Sequence, residues 1–323
     1  MKKQTKIAAV LSAAAFMMMV SGLPVYAASY GWVTEGDAKV YYDEDGYLTT
    51  DAWRKRGEDW FYLGEDGQIV KSKKIDEYYV DDEGKMVTNA WVELKNEEDP
   101  DSPETPDTFW YYFEKDGKSA VSKWVKFDSK WYYFDESGHM ATGKTEIDGA
   151  TYYLGTEKDG FMRTGWIRLE ENSHAPGASE SWYYFNSDGK MVTTQYDKKI
   201  DGSYYTFIDG KMQTGWVLMP SKSDVTDSNA ASPKITDYHY YGAAGDGKRA
   251  EGFRSIEGIS GIHAADEVYT FYFKAGKPYV SDKKGNSLFT INAKKYAFSD
   301  LGIMQTGRQI ANVANDEIAN FYF

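Results

Sequence analysis

The sequence predicts an all-β protein: a solenoid of stacked β-hairpins, each about 20 residues long. Three observations carry this reading. Aromatic residues make up 16% of the 323-residue chain, and tyrosine alone numbers 27. The rings recur in short runs such as Trp131-Tyr132-Tyr133-Phe134, each followed by a polar turn that carries a glycine. The turn glycines Gly46, Gly67, Gly84, Gly117, Gly138, Gly160, Gly189, Gly210, Gly247, Gly276 and Gly302 set a register whose first steps are 21, 17, 33, 21 and 22 residues. A lone two-stranded hairpin is marginal in water. A tryptophan or tyrosine that buries roughly 150–250 Å² gains about 4–6 kcal/mol as an upper bound. A single hairpin has nothing to bury its rings against, whereas stacked copies bury each other's.

Taken in order, the chain opens with a leader. Lys2, Lys3 and Lys6 are followed by an apolar stretch, 7–20, too short to span a bilayer, and by Val25-Tyr26-Ala27. This is the pattern of a signal peptide over 1–27, cleaved after Ala27. Residues 28–323 are then the mature repeat region, with no later stretch apolar enough to cross a membrane. No sorting motif of the Leu-Pro-x-Thr-Gly type is present. The expectation is an exported protein held non-covalently at the surface.

The unit is clearest at 124–143. Trp131-Tyr132-Tyr133-Phe134 reads as one strand, Asp135-Glu136-Ser137-Gly138 as the turn, and His139-Met140-Ala141-Thr142 as the return strand. The same aromatic strand precedes most turn glycines: Trp60-Phe61-Tyr62, Tyr78-Tyr79, Trp110-Tyr111-Tyr112, Tyr152-Tyr153, Trp182-Tyr183-Tyr184, Tyr204-Tyr205 and Tyr240-Tyr241. Three long inserts fall at one place in the unit, between its first aromatic and the ring-rich strand. These are 94–108, acidic and proline-rich, and 170–180 and 220–236, rich in small polar residues. Each reads as a solvated loop. The repeats are regular to about Trp216, beyond which no tryptophan follows. They diverge over 217–323, and the last copy stops in its aromatic strand at Phe321-Tyr322-Phe323.

The formal charge is −13, and with Lys2, Lys3 and Lys6 removed it is near −16, with 34 basic against 50 acidic residues. That disfavours nucleic acid and anionic membranes and suits a neutral or cationic ligand. The absence of cysteine excludes disulfides, thiolate metal sites and a cysteine nucleophile. His139, His174, His239 and His263 lie in separate repeats without metal-ligand spacing, and no Gly-x-Ser-x-Gly elbow occurs. The acidic insert lacks the EF-hand spacing. The carboxylates of 43–45, 65–66 and 81–83 sit in turns, where turn chemistry explains them. No catalytic constellation, metal site or cofactor is expected.

The ring array remains. Period two puts Trp131 and Tyr133 on one face of their strand and Tyr132 and Phe134 on the other. One face packs the hairpins, and rings left at a junction offer a π-surface to a quaternary ammonium group or to the apolar face of a sugar.

The unit resembles the cell-wall-binding, or choline-binding, repeat of Gram-positive surface proteins, in which GW, a spacer, WYY, a turn and GxMxTG follow one another. Trp124, Trp131-Tyr132-Tyr133 and Gly138-His139-Met140-Ala141-Thr142-Gly143 fit this pattern. So do Gly165-Trp166, Trp182-Tyr183-Tyr184 and Gly189-Lys190-Met191-Val192-Thr193, and then Gly210-Lys211-Met212-Gln213-Thr214-Gly215-Trp216. The resemblance extends over 30–323. It implies a left-handed superhelix with a ligand between consecutive repeats, caged by two aromatics of one repeat and one of the next. In some members the ligand is choline on teichoic acid, and in others glucan or another glycan. Carried over, the cages are Trp53, Trp60 and Tyr78; Trp124, Trp131 and Tyr152; Trp166, Trp182 and Tyr204; and Trp91, Trp110 and Trp131. Lys74, Lys144 and Tyr196 replace the leading tryptophan in three units, so those junctions lack a complete cage.

The reading is therefore an exported, non-catalytic protein that binds the choline or glycan of the bacterial wall. Two alternatives stay open. The chain is the targeting part of a wall hydrolase, an amidase or glucosaminidase whose catalytic domain lies outside it, or it is an adhesin whose inserts hold a host or wall protein.

Overall fold

The structure is a computed structural model that describes residues 30–97, 106–170, 179–220, 232–243, 245–264, 266–312 and 318–323. The expected leader and the middle of each insert lie outside these residues. The described chain is all-β, with 26 strands in eleven small sheets and one 3-10 turn at Ile235–Asp237. It divides into two compact units, Met1–Val121 and Ser122–Phe323.

In the first unit, four antiparallel hairpins follow one another. Gly31–Glu35 pairs with Ala38–Tyr42, Ala52–Arg56 with Asp59–Leu63, Lys73–Ile75 with Tyr78–Val80, and Ala90–Lys95 with Thr108–Phe113. In the second, Lys123–Phe127 pairs with Lys130–Phe134, Lys144–Ile147 with Ala150–Tyr153, Gly165–Glu170 with Glu180–Phe185, and Gln195–Ile200 with Ser203–Ile208. Beyond these, hairpins continue at Gly215–Leu218 with Tyr238–Tyr241, Gly252–Glu257 with Val268–Lys274, Asn286–Ile291 with Lys294–Phe298, and Arg308–Asn312 with Ile318–Tyr322.

These hairpins sit one turn earlier in the unit than the sequence reading placed them. Lys130–Phe134 pairs with the strand before it, through a tight turn whose central residues Asp128 and Ser129 both have positive φ, 46° and 64°. Such a turn matches the twist of the strands it joins. His139-Met140-Ala141-Thr142 is not a return strand, and only an isolated bridge links Phe134 to Met140. The reason lies in the backbone bonding. The amide of Ala141 donates to the Tyr133 carbonyl of its own hairpin at 2.8 Å, while one copy later the amide of Met162 donates to the Trp131 carbonyl of the preceding hairpin, also at 2.8 Å. Val87 to Tyr79 and Met86 to Trp60 repeat the alternation in the first unit, and Val192 to Tyr184 and Met191 to Thr151 in the second. A segment whose amides alternate between two partners completes a ladder with neither. The turn that precedes it is closed by Asp135, whose Oδ1 accepts from the amides of Ser137 and His139 at 2.9 and 2.8 Å.

Because each hairpin joins the leading aromatic to the ring-rich strand, the inserts fall at hairpin tips. The first is closed at its base by Asn96, whose amide donates to the Asp107 carbonyl at 2.8 Å and whose side chain donates to the Pro106 carbonyl at 3.0 Å.

In ten of the twelve hairpins one residue near the end of the ring strand is fully buried: Leu63, Val80 and Phe113 in the first unit, and Phe134, Leu154, Phe185, Phe207, Tyr241, Phe273 and Phe298 in the second. At Gly117, Gly160, Gly189, Gly210 and Gly247 the methionine after the preceding turn packs against the turn glycine, a place taken by Leu48 at Gly67 and Ile69 at Gly84. A Cβ on Gly160 would lie 2.2 Å from Met140 Sδ, one on Gly189 2.3 Å from Met162 Sδ, and one on Gly117 2.7 Å from Met86 Sδ. Gly160 also has φ of +49°, so both backbone conformation and the neighbouring hairpin demand glycine there. Gly160→Ala is expected to destabilise the chain by about 2–4 kcal/mol. In a Met140→Ala background the same change should cost less, since only the strained backbone remains. Urea unfolding of the double-mutant cycle checks this, and an unchanged cost would show that the methionine contact plays no part.

Candidate functional site

The leading aromatic of a hairpin touches two rings. One is its cross-strand neighbour. The other belongs to the next hairpin, two residues before that hairpin's fully buried residue. Trp53 packs on Tyr62 and Tyr78, both at 5.3 Å between centroids; Trp124 packs on Tyr133 at 5.3 Å and Tyr152 at 5.0 Å; Trp166 packs on Tyr184 at 5.1 Å and Tyr205 at 4.7 Å. All six contacts are edge-to-face, the favoured arrangement of quadrupolar rings.

The junction after Trp166 forms the best-defined site. Trp182, on the same hairpin, stands 6.5 Å from Trp166 at an interplanar angle of 83°. With Tyr205 of the next hairpin and Met212 they line a cavity of about 300 Å³, and Gly245, Asp246 and Lys248 of a later turn complete its rim. The Asp246 carboxylate pairs with Lys248 at 3.4 Å. The rings of Trp166, Trp182 and Tyr205 offer π-surface to this volume, and the paired charges of Asp246 and Lys248 at its rim offset one another. A compact cation that needs no hydrogen bonds, a quaternary ammonium above all, suits such a site.

Two stretches match known families at this point in the chain. Residues 121–166 match the choline-binding repeat, and residues 178–191 match the putative cell wall binding repeat. The chain thus carries repeats of the choline-binding, cell-wall-binding type. Among curated relatives, glucosyltransferase-S of Streptococcus mutans serotype c is 29% identical over 193 residues, 54% of this chain and 10% of that enzyme. Glucosyltransferase-I of Streptococcus downei is 26% identical over 310 residues, 85% of this chain and 17% of that enzyme. The chain thus spans a small part of the length of these relatives. Among solved structures, the modular autolysin LytC of Streptococcus pneumoniae shares 21% identity at a TM-score of 0.51, covering 85% of this chain and 52% of that one. CbpJ of the same organism shares 20% identity at a TM-score of 0.52, covering 89% and 97%. At these identities the structural likeness is one of fold.

The tryptophan-paired junctions are unequal. Around Trp53 and Trp60 a cavity of about 410 Å³ opens toward the preceding hairpin, lined by Tyr30, Tyr41, Asp43, Glu44, Arg54 and Lys55 rather than by Tyr78. Trp131 is 40% exposed, with the Lys126 ammonium 5.7 Å from its ring, while Trp124 is occupied with Tyr133 and Tyr152. Trp91 stands 6.5 Å from Trp110 at 73° and 5.3 Å from Tyr112. The third ring assigned to that pair, Trp131, lies in the second unit.

One assignment is corrected. Tyr205, not Tyr204, faces Trp166. In the hairpins of Tyr78 and Tyr152 the buried residue follows the tyrosine pair directly, as Val80 and Leu154. In this hairpin Thr206 intervenes and Phe207 takes the buried place. Its turn is shortened to Asp209-Gly210, across which Phe207 and Ile208 pair antiparallel with Met212 and Lys211. Counting from the buried residue rather than from the glycine recovers Tyr205. The same count identifies junction rings that the motif alone missed: Phe61 against Trp32 at 5.7 Å, Phe271 against Trp216 at 5.1 Å, and Tyr296 against Phe253 at 4.9 Å.

At Tyr196 the junction is polar. The Tyr241 hydroxyl donates to Asp197 Oδ1 at 2.9 Å and accepts from the Thr206 hydroxyl at 2.7 Å. Arg249 pairs with Asp197 at 3.1 Å, and His239 Nδ1 stands 3.6 Å from the other carboxylate oxygen. His239 occupies the place of Tyr205 in this hairpin. Burial holds its pKa below the ordinary value, with Lys277 and Arg249 pushing the same way and Asp197 opposing. A lowered folded-state pKa means that the unfolded chain binds the proton first, so stability is full above the unfolded pKa of about 6.5 and falls as pH drops toward the folded value. His239→Gln is expected to flatten the part of the acid-side loss that lies just below pH 6.5. Chemical denaturation from pH 7.5 to 5 checks it, and parallel curves for the two proteins would exclude His239 as a source.

Proposed function

We propose that the chain anchors to the bacterial wall by taking the quaternary ammonium groups of choline-substituted teichoic acid into its tryptophan-paired junctions, between consecutive hairpins of a left-handed solenoid. The observation that carries this is the cavity lined by the rings of Trp166, Trp182 and Tyr205 together with Met212, with the Asp246–Lys248 pair at the rim. Trp53 with Trp60, Trp91 with Trp110 and Trp124 with Trp131 supply further pairs in the same places of their hairpins. One such site yields about 4 kcal/mol, an affinity in the millimolar range. Several on one chain facing a polymer gain by effective concentration, typically by factors of about 10²–10⁴. In this reading the protein acts by binding and not by catalysis, leaves the cell by its leader, and stays on the surface without a covalent link. In the same reading the inserts serve a second, protein partner.

A second reading is favoured by the glucosyltransferase relatives: the same rings stack on glucose units, and the ligand is a glucan.

Intrinsic tryptophan fluorescence of residues 28–323 separates the readings. A saturable response to choline at millimolar concentration is expected, lost in Trp182→Ala and weakened by Tyr205→Leu far more than by Tyr204→Leu. Silence with choline and saturation with soluble glucan would move the protein to the second reading. No response to either would overturn both.

A further inference from the structure

The three junctions at Lys74, Lys144 and Tyr196, which lack a leading tryptophan, are not simply vacant. At the first, cross-strand register places Lys74 opposite Tyr79, where the other hairpins carry the tryptophan, and its ammonium lies 4.5 Å from the centroid of Tyr111 in the next hairpin. At the second, Lys144 stands opposite Tyr153, and its ammonium lies 5.2 Å from the centroid of Tyr183. Tyr111 and Tyr183 hold the same place as Tyr205, two residues before a fully buried phenylalanine, and are as deeply buried as it is, at 7%, 3% and 8% exposure. The third junction reaches the same end by another residue. Arg249 stands where other turns carry the methionine; its amide donates to the Tyr204 carbonyl at 2.8 Å, and its guanidinium lies 4.0 Å from the centroid of Tyr204. The second tryptophan of each cage is also replaced at these junctions, by Glu77, Thr151 and Tyr204. Glu77 is itself paired with Lys118 at 2.5 Å.

We propose that these junctions are filled from within: Lys74, Lys144 and Arg249 supply the cation that the tryptophan-paired junctions take from outside. Each seals a ring of its junction and excludes an external ammonium ligand. The second half of this statement rests on the wall-binding reading above, whereas the internal cation contacts do not. The positions then sort the array. Sites for an external cation are confined to the paired tryptophans, and between them the chain holds its own hairpins together with the same chemistry.

Chemical rescue tests this. Lys144→Ala removes the ammonium and leaves space over Tyr183. Its melting temperature is expected to fall a few degrees below that of the parent, Lys144→Arg should restore most of the loss, and n-propylammonium at tens of millimolar should narrow the gap between Lys144→Ala and parent while n-propanol and sodium chloride do not. Lys74→Ala, in the other compact unit, gives an independent repeat if Lys144→Ala fails to fold. Both variants keep all ten tryptophans, so a choline response of the parent should persist in them. A gap that the ammonium leaves unchanged, or a Lys144→Ala protein as stable as the parent, would overturn the proposal whether or not the parent binds choline.

Discussion

The structure depends on a division of hydrogen bonds. After the turns at Gly84, Gly117, Gly160, Gly189, Gly247 and Gly302 the amides of the return segment go alternately to their own hairpin and to the one before. A two-stranded hairpin cannot stand alone, and the shared segment makes each one a condition for its neighbour. The methionine-to-glycine contacts follow from the same placement. The segment carries the methionine side chain over the next turn, where only a residue without a Cβ fits. Glycine, methionine and the ring strand therefore form one device, although the motif lists them as separate letters.

Much of the architecture was legible in the sequence, because glycine spacing and ring runs reflect steric needs that no other residues meet. The all-β class, the repeating unit and the place of the inserts within it follow from these alone. The hairpin partition did not, since alternation in side chains says nothing about which partner an amide chooses. Trp131-Tyr132-Tyr133-Phe134 is flanked by turn-like residues on both sides, Asp128-Ser129 and Asp135 to Gly138, and the propensities of the two are alike. Only the shared bonding of Ala141 and its neighbours separates them. In the candidate site, the tryptophans were readable as motif letters, whereas the tyrosine of each pair that packs on the leading tryptophan was left open by the sequence. At Tyr205 the shortened turn at Asp209-Gly210 also shifts the count by one residue.

The junctions show one geometry serving different chemistry. A ring from the next hairpin is fixed in place by its buried neighbour, and what lies over it varies: tryptophan at Trp53, Trp124 and Trp166, an ammonium at Lys74 and Lys144. At Tyr196 the arrangement is replaced by Asp197, Thr206, Tyr241 and Arg249 in a hydrogen-bonded cluster. Removing one member of such a cluster leaves a buried polar partner unsatisfied, so single substitutions there are costly. The apolar junctions depend on area and shape, and similar rings exchange there more freely.

The hairpin tips lie apart from all of this. A tip is bounded by two paired strands and, at 95–108, by the Asn96 clasp to Asp107 and Pro106, so its length is uncoupled from the bonds that link one hairpin to the next. Lengthening a closed loop is inexpensive, about 0.6 kcal/mol for each doubling. The scaffold is thus a natural display platform: a peptide epitope or small folded domain spliced between Asn96 and Pro106 would be presented from a closed base, with the ring-bearing junctions left as they are.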